Sequence, residues 1–352
     1  MIVVVVCNVY SGTNNGTTVS CRNFVKQLRL RGYEVRVITT GEPEDGLYIV
    51  PAYSHNLAAT IASWNGIAFG KPDEERVHKM AMERHIHCTA AFHVQPEDVT
   101  YNLGLDKCTC LATQINKWAR DFFYKDYTHI HCPSRFIANE LEKAGYQAKL
   151  HVISNGVNDI FQCSPIPKIP QLKGKFCILM VGRLSKEKRQ DVLIKACCLS
   201  KYANNIQLIL AGHGPKEEMF RRMAKKLPNP AIFGFYPQQD LANLMNMCDL
   251  YVHASDVEIE AISCIEAFAC GLVPVIANSP ISATTQFALC DKSLFKAGSA
   301  KDCAEKIDYW IEHPEEKKRM SQQYAESANQ YRLKASIDSM LSMFNDAIQE
   351  SA

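Results

Sequence analysis

Residues 249–277 constrain the fold of this chain most strongly, because two short apolar runs flank one amphipathic helical segment there. The runs Leu250–His253 and 273–276 predict buried strands. The helical spacing between them ends at Gly271, a residue type that often stops helices. A strand, a helix and a second strand in this order predict an α/β fold with a parallel sheet.

Two glutamates of this stretch lie where a parallel sheet binds its ligands. Glu258 falls in the loop after the first strand, and Glu266 falls in the first turns of the helix. Ligands bind outside the carboxyl ends of parallel strands. A carboxylate there can accept hydrogen bonds from two hydroxyl groups at once. The helix start, with the amides of Ile262 and Ser263, favours an anionic group such as a diphosphate. The alternative is a solvated Glu258 and a Glu266 that only balances the helix dipole.

The same order of apolar run, loop and helix occurs at the start of the chain. Residues 2–6 predict a buried strand, a polar loop containing Gly16 follows, and a helix is predicted over 18–31. Gly16 has no side chain, so the backbone amides beside it can approach a phosphate or a sugar closely. An ordinary turn glycine is the alternative. Residues 35–38 predict the next strand, so this half also begins as a parallel unit.

His93 follows another predicted strand end, just before Pro96, which cannot continue a helix. A histidine in such a loop can orient or hydrogen-bond a reacting hydroxyl near neutral pH, so His93 is a candidate site residue. A structural histidine is the alternative, since His85 and His87 lie nearby in the sequence.

Residues 105–127 combine apolar side chains with cations. The apolar set is Leu111, Ile115, Trp118, Phe122, Phe123 and Tyr124, and the cations are Lys107, Lys117, Arg120 and Lys125. This pattern fits an amphipathic helix on an anionic lipid surface, with its aromatic rings at headgroup depth. A helix that faces the core and has a solvated basic edge is the alternative.

A proline-rich segment divides the chain into two predicted domains. Residues 165–170 contain three prolines, which exclude a helix or a central strand and indicate a linker. The predicted domains are 1–164 and 171–329, with residues 330–352 returning to the first domain.

Cations and glycines follow the first strands of the second domain. Phe176–Val181 predicts a strand, and Arg183 and Lys188 in the loop after it could bind two phosphates, the alternative being a solvated basic loop. The next loop contains Gly212 and resembles the start of a dinucleotide fingerprint. Glu217 occupies the third glycine position of that fingerprint, which argues against a nicotinamide enzyme.

Composition excludes several classes of protein. A net charge of +2 gives no broad electrostatic field for nucleic acid, and the 15 cysteines lack the spacing of a metal site or a disulfide framework. Reduced thiols in a cytosol are therefore expected. The first residues lack a charged region before the apolar run, and no run reaches bilayer length, so neither a signal peptide nor a membrane span is predicted.

These motifs resemble the retaining glycosyltransferases of family 4, which have the GT-B fold of two Rossmann-like domains with doubly wound parallel sheets facing across a cleft. The resemblance covers nearly the whole chain and is most specific at Glu258-x7-Glu266 and the residues up to Val275. The other matching motifs are Asn14-Asn15-Gly16, Ser154-Asn155-Gly156-Val157, Gly182-Arg183-Leu184 with Lys188, and Ala211-Gly212-x-Gly214-Pro215.

The resemblance implies a nucleotide-sugar donor held mainly by the second domain. Arg183 and Lys188 would bind the diphosphate and offset the charge that grows on the leaving group. Glu266 would bind the ribose hydroxyls, and Glu258 would hold the sugar near its reacting face.

Further implications concern the first domain, metals and one departure from the family. Gly16 and His93 would complete the site from the first domain. No Asp-x-Asp motif is evident, so neither a metal nor another cofactor is expected. The family commonly has Phe-Gly where this chain has Glu260 and Ala261, which puts the local loop shape and the sugar contacts in doubt.

Residues 14–20 and 256–260 are more similar to bacterial lipid glycosyltransferases, such as those that glucosylate diacylglycerol. The expected reaction transfers a hexose from UDP-glucose or UDP-galactose, with retention, to a membrane lipid hydroxyl. The enzyme would be cytoplasmic and peripheral on the inner face of the cell membrane. Transfer to a soluble or polymer-precursor sugar in capsule or cell-wall synthesis is a second hypothesis, and a nucleotide-sugar-binding module without turnover is a third.

Overall fold

The computed structural model describes residues 2–10, 16–40, 47–49, 79, 81–93, 95–102, 104–105 and 109–350. The chain forms two compact units, Met1–Gly156 with Leu333–Ala352, and Val157–Arg332. The chain leaves the first unit at Gly156, whose φ of +80° lies in the left-handed region that favours glycine. The proline-rich residues 165–170 therefore lie inside the second unit, where Lys168 Nζ donates to the carbonyl of Lys175 at 2.8 Å.

The described part of the first unit contains two parallel sheets of three strands each. One sheet consists of β1 (Ile2–Val9), β2 (Glu34–Thr40) and β3 (Leu47–Ile49), and the other of β4 (Ala90–Ala91), β5 (His129–Cys132) and β6 (Lys149–Val152). The helices are α1 (Gly16–Leu30), α2 (Pro96–Asn102), α3 (Thr109–Ala119), which continues as a π-helical turn over Arg120–Tyr124, and α4 (Arg135–Lys143).

The second unit contains a parallel sheet of six strands. They are β7 (Phe176–Val181), β8 (Ile206–Ala211), β9 (Ile232–Gly234), β10 (Leu250–His253), β11 (Pro274–Asn278) and β12 (Leu294–Lys296). Their spatial order is β12-β11-β10-β7-β8-β9, so the direction of strand addition reverses between β7 and β10. This reversal is the topological switch point of a doubly wound sheet, the usual place for a ligand.

Six helices connect or follow these strands. They are α5 (Gln190–Leu199), α6 (Glu217–Ala224), α7 (Gln238–Met247), α8 (Ile262–Ala269), α9 (Ala300–Glu312) and α10 (Pro314–Ser327). The sequence predicted β7 and β10 with these bounds, because both strands are mainly apolar; β10 is buried throughout, and β7 is buried except at its two half-buried end residues. The helix α8 also stops as predicted, with Gly271 at a φ of +83° and the amide of Leu272 bonded to the carbonyl of Ala267.

The C-terminal helix α11 (Leu333–Glu350) belongs to the first unit. Its Ile337 is fully buried and packs in one cluster with Val25 of α1 and Val37 of β2. Arg31 and Asp338 add an ion pair of 2.5 Å between α1 and α11. The predicted return of the C-terminal segment to the first unit is thereby confirmed, as is the predicted α/β class with parallel sheets.

Candidate active site

Two loops meet at the switch point of the second unit. Residues 182–189 follow β7 and residues 254–261 follow β10. These strands pair in parallel, with Tyr251 opposite Leu179, so their carboxyl ends share one edge of the sheet. Side chains far apart in the sequence are thereby brought together at that edge.

Lys188, Glu258 and His253 form a cluster of polar and charged side chains there, in which Glu258 and His253 are buried and Lys188 is half-buried. Lys188 Nζ and His253 Nε2 both donate to Oε1 of Glu258, the histidine at 2.9 Å. Burial alone would raise the pKa of Glu258, but Lys188 and His253 outweigh burial and hold that pKa below its ordinary value. Glu258 is therefore a carboxylate at neutral pH and can accept hydrogen bonds from hydroxyl groups.

A second layer of hydrogen bonds supports this cluster from behind. The hydroxyl of Tyr251 lies 3.3 Å from Nδ1 of His253 and donates to Ser263 Oγ at 3.1 Å. Ser263 Oγ in turn donates to the carbonyl of Val181 at 3.3 Å. The network thus connects β10, α8 and β7, and Ser263 acts here through its side chain.

Glu266 has the opposite electrostatic character. Its side chain is half-buried in α8, and burial raises its pKa to about 7. Within the part of the chain that the structure describes, no side chain forms an ion pair or hydrogen bond with this carboxyl group. A carboxyl group that is part protonated near pH 7 can both donate to and accept from ribose hydroxyls.

The helix α8 begins in an unusual backbone conformation. Ala261, which precedes it, has a φ of +66°, in the region that favours glycine. The chain therefore places an alanine in a backbone conformation that usually requires glycine, while Glu260 is buried beside it. Among the described residues, no side chain caps the start of α8, so the first-turn amides, including those of Ile262 and Ser263, lie at an uncapped positive helix end.

Gly212 sets the distance between two neighbouring loops. A Cβ on Gly212 would lie 2.1 Å from the carbonyl oxygen of Gly182, so only glycine fits here. The amide of Gly212 donates to the carbonyl of Gly234 at 2.7 Å. The structure thus gives Gly212 a packing role, and its contact with a donor stays a prediction.

Arg183 lies in the loop after β7 on a well-supported backbone. Its carbonyl accepts a hydrogen bond from Gln190 Nε2 at 2.8 Å. Arg189 of the same loop pairs with Asp256 of the loop after β10 at 2.6 Å. Arg183 is half-buried at the carboxyl edge that also holds Lys188, and the binding of one diphosphate by these two residues stays a prediction.

Gly16 and His93 lie in the first unit. Gly16 opens α1, and among the described residues outside its own helix and its chain neighbours, no atom lies within 4 Å of the position that a Cβ would occupy. A contact between Gly16 and a ligand stays a prediction. Asn14 and Asn15 lie outside the described residues. His93 follows β4, and burial together with the nearby His131 lowers its pKa to about 3. His93 is therefore neutral near pH 7 and suited to hydrogen bonding rather than to ion pairing.

The segment 105–127 exposes two of its aromatic rings. Trp118 and Phe122 are 45% and 58% exposed and stack with centroids 5.6 Å apart, and these two rings form the aromatic patch. Phe123 and Tyr124 are half-buried instead, so the segment has one inward and one outward apolar side. Lys107 lies outside the described residues.

His253 and Tyr251 were not identified from the sequence. The criterion that selected His93, a histidine at the carboxyl end of a predicted strand, applies equally to His253, the last residue of β10. Tyr251 carried no such signal, because its hydroxyl reaches the site only through the packing of β10 against α8.

Two family models match this chain. Residues 76–160 match the family model described as Glycosyltransferase Family 4, and residues 165–327 match that described as Glycosyl transferases group 1. The Saccharomyces cerevisiae GPI3 subunit of phosphatidylinositol N-acetylglucosaminyltransferase is 30% identical over 114 residues, which are 31% of this chain and 25% of the relative. The chain thus spans about a quarter of the length of this curated relative.

Two solved structures are also similar. HepE from Anabaena, in complex with UDP and glucose, is 16% identical, with a TM-score of 0.78 over 98% of this chain and 100% of that chain. The catalytic domain of cholesterol-α-glucosyltransferase from Helicobacter pylori is 53% identical, with a TM-score of 0.43 over 44% of this chain and 98% of that chain.

Proposed function

This chain is a GT4-type glycosyltransferase with the GT-B fold, and on that premise we propose that it transfers a hexose from a UDP-sugar to a membrane lipid hydroxyl, with retention. The observation that carries the proposal is the pair of glutamates at the switch point. Glu258 is held ionised by Lys188 and His253, whereas Glu266 is part protonated because it is buried without a partner. The ionised Glu258 can accept a hydrogen bond from a sugar hydroxyl. The part-protonated Glu266 suits the ribose diol, whose hydroxyls both donate and accept hydrogen bonds.

The donor would lie along the carboxyl edge of β7 and β10. Its diphosphate would bind Arg183 and Lys188 and the uncapped start of α8, where the charges and the helix dipole favour an anion. Glu266 would bind the ribose hydroxyls, and Glu258 would hold the hexose. The cations would offset the charge on the departing UDP without a metal, so activity should persist in excess chelator.

Residues of the first unit would serve the acceptor side. Gly16 would let the backbone approach the donor, and neutral His93 would hydrogen-bond the reacting sugar or hydroxyl. We also propose that the aromatic patch, Trp118 and Phe122, docks on an anionic membrane, with the exposed Lys117 and Lys125 near the lipid headgroups.

No helix in the described part of the chain is long and apolar enough to cross a membrane. One comparison bears on the lipid acceptor. The yeast relative is, by its name, an enzyme that glycosylates phosphatidylinositol. A peripheral enzyme at the cytoplasmic face of a membrane would bring a water-soluble donor to a lipid acceptor.

A donor-by-acceptor screen read by mass spectrometry tests the proposal. UDP-glucose, UDP-galactose and UDP-N-acetylglucosamine are paired with vesicles containing diacylglycerol, phosphatidylinositol or a sterol, and with soluble glycans. A hexosyl lipid whose anomeric configuration matches that of the donor is the expected product. Product only with soluble glycans would favour the polymer-precursor hypothesis, and UDP binding without turnover would favour a binding module.

A further inference from the structure

We propose that His253 is a positioning residue, which keeps Glu258 oriented after the donor diphosphate has engaged Lys188. This inference rests on the proposed function. The side chain of His253 is only 1% exposed, so it acts on a bound sugar through Glu258 and not by direct contact. The motifs that carry the family resemblance do not include this histidine, which ends β10 at the carboxyl edge of the sheet.

The hydrogen bonds of Glu258 are unequally distributed between its two oxygens. Oε1 accepts from both Lys188 and His253, whereas no described residue bonds to Oε2. Because an ionised carboxylate has no hydrogen, Nε2 of His253 must be the donor in the bond between them. Oε2 is thereby left to a sugar hydroxyl, and the two donors on Oε1 set the direction in which it points.

The imidazole ring itself is held on its other side. Nδ1 lies 3.3 Å from the Tyr251 hydroxyl, which reaches Ser263 Oγ at 3.1 Å. Ser263 belongs to α8, and its hydroxyl bonds to the carbonyl of Val181 at the end of β7. Rotation of the ring would break its contact with the Tyr251 hydroxyl, which is itself held by Ser263 of α8. His253 therefore offers Glu258 a fixed donor.

Lys188 is the less permanent of the two partners. Its side chain is flexible and 22% exposed, and a diphosphate would compete with Glu258 for the hydrogen bonds that the ammonium donates. Without a second donor, Glu258 would then be a buried carboxylate with no partner, and burial would favour its protonation. The titratable groups that face Glu258 are Lys188 from the β7 loop, His253 and Tyr251 from β10, and Cys264 from α8.

Two substitutions separate positioning from mere packing. His253→Leu removes the donor, and kcat is expected to fall about 10- to 100-fold, the usual effect of losing a hydrogen bond to a charged group. The KM for the UDP-sugar should change less than about threefold, because Lys188 and Arg183 remain. His253→Gln places an amide N–H near the position of Nε2 and should recover most of kcat.

The pH profile supplies a readout that a packing role would not move. Lys188 and His253 together hold the pKa of Glu258 low, so removing His253 should raise that pKa. The acid limb of the kcat profile should therefore shift to higher pH in the His253→Leu variant and stay near the wild-type position in the His253→Gln variant. His313→Gln, at an exposed histidine of the same unit, is the matched control and should behave as wild type.

The outcomes are distinguishable. Wild-type protein that turns over no UDP-sugar overturns the proposed function, and this inference with it. Active wild type with unchanged kcat and an unchanged acid limb in a folded His253→Leu variant overturns the inference alone. Equal losses in the leucine and glutamine variants, without a shift of the acid limb, do so as well. If His253→Leu does not fold, His253→Asn replaces it. Its shorter amide cannot reach Glu258, so the acid limb of the kcat profile should again shift to higher pH.

Discussion

Replacing Glu266 by glutamine is expected to stabilise the protein while it weakens the enzyme. The carboxyl group has an ordinary pKa of 4.5 and a pKa of about 7 in the folded protein, because burial disfavours its charge. The folded state therefore holds this proton more tightly than the unfolded state does, and folding stability falls as the pH rises from 4.5 past 7.

The size of the effect follows from the same two values. At 1.36 kcal/mol per pKa unit, the full cost above pH 7 is about 3 kcal/mol, and entry of water into the half-buried site reduces it to about 1–3 kcal/mol. Glutamine has nearly the same shape and no charge, so Glu266→Gln should recover this amount at pH 8 and less than about 1 kcal/mol at pH 5. Donor kcat/KM should fall at least about tenfold, since a ribose contact is changed.

Glu258→Gln is the matched control, for which the expected change in folding stability has the opposite sign. The pKa of Glu258 is lowered in the folded protein, so its charge contributes stability above pH 4.5 that is lost as the pH falls. The neutral amide should therefore destabilise the fold at pH 8 by about 1–3 kcal/mol, because Lys188 and His253 lose a charged acceptor.

Urea denaturation at pH 5 and pH 8, followed by circular dichroism, measures both changes. A Glu266→Gln variant no more stable than wild type at pH 8, or equally stabilised at both pH values, would refute the assignment of an uncompensated buried carboxyl group. Unchanged donor kinetics in that variant would separate Glu266 from the ribose site.

Four other results are expected. Ala261→Gly should raise the free energy of unfolding by about 0.5–1 kcal/mol, because it relieves a φ of +66°; a loss of stability in urea would contradict this backbone assignment. Gly212→Ala should cost more than about 2 kcal/mol, since its Cβ would meet the Gly182 carbonyl at 2.1 Å, and a variant with wild-type stability would show that the loops move apart easily. Trp118→Ala with Phe122→Ala should reduce co-flotation with anionic vesicles at least about tenfold while shifting stability by less than about 1 kcal/mol, and equal flotation would remove the aromatic patch from membrane binding. Excess EDTA should leave turnover within about twofold, whereas a loss restored by added Mg²⁺ or Mn²⁺ would require a metal.

Much of the fold follows from local patterns in the sequence. Phe176–Val181 and Leu250–His253 are continuous apolar runs, and such runs form strands that are buried on both faces whatever their neighbours are. Gly271 ends α8 because its backbone conformation favours glycine, which is again a local property. The domain boundary was less predictable. Gly156 faces Leu333, a partner far away in sequence, whereas the prolines of residues 165–170 had predicted a linker further along the chain.

The sequence alone determined which elements form and which residue types stand at the carboxyl ends of the strands, because short-range periodicity and turn chemistry encode both. Only the tertiary structure decided how those residues behave. Glu258 and Glu266 are the same residue type, one in the loop before α8 and one in α8 itself, yet the pKa of Glu258 is lowered and that of Glu266 is raised. The difference arises because Lys188 and His253 reach Glu258 from another loop and another strand, whereas no charged group reaches Glu266 in the described residues. Burial and pairing depend on which elements pack together, and neither property is present in the local sequence.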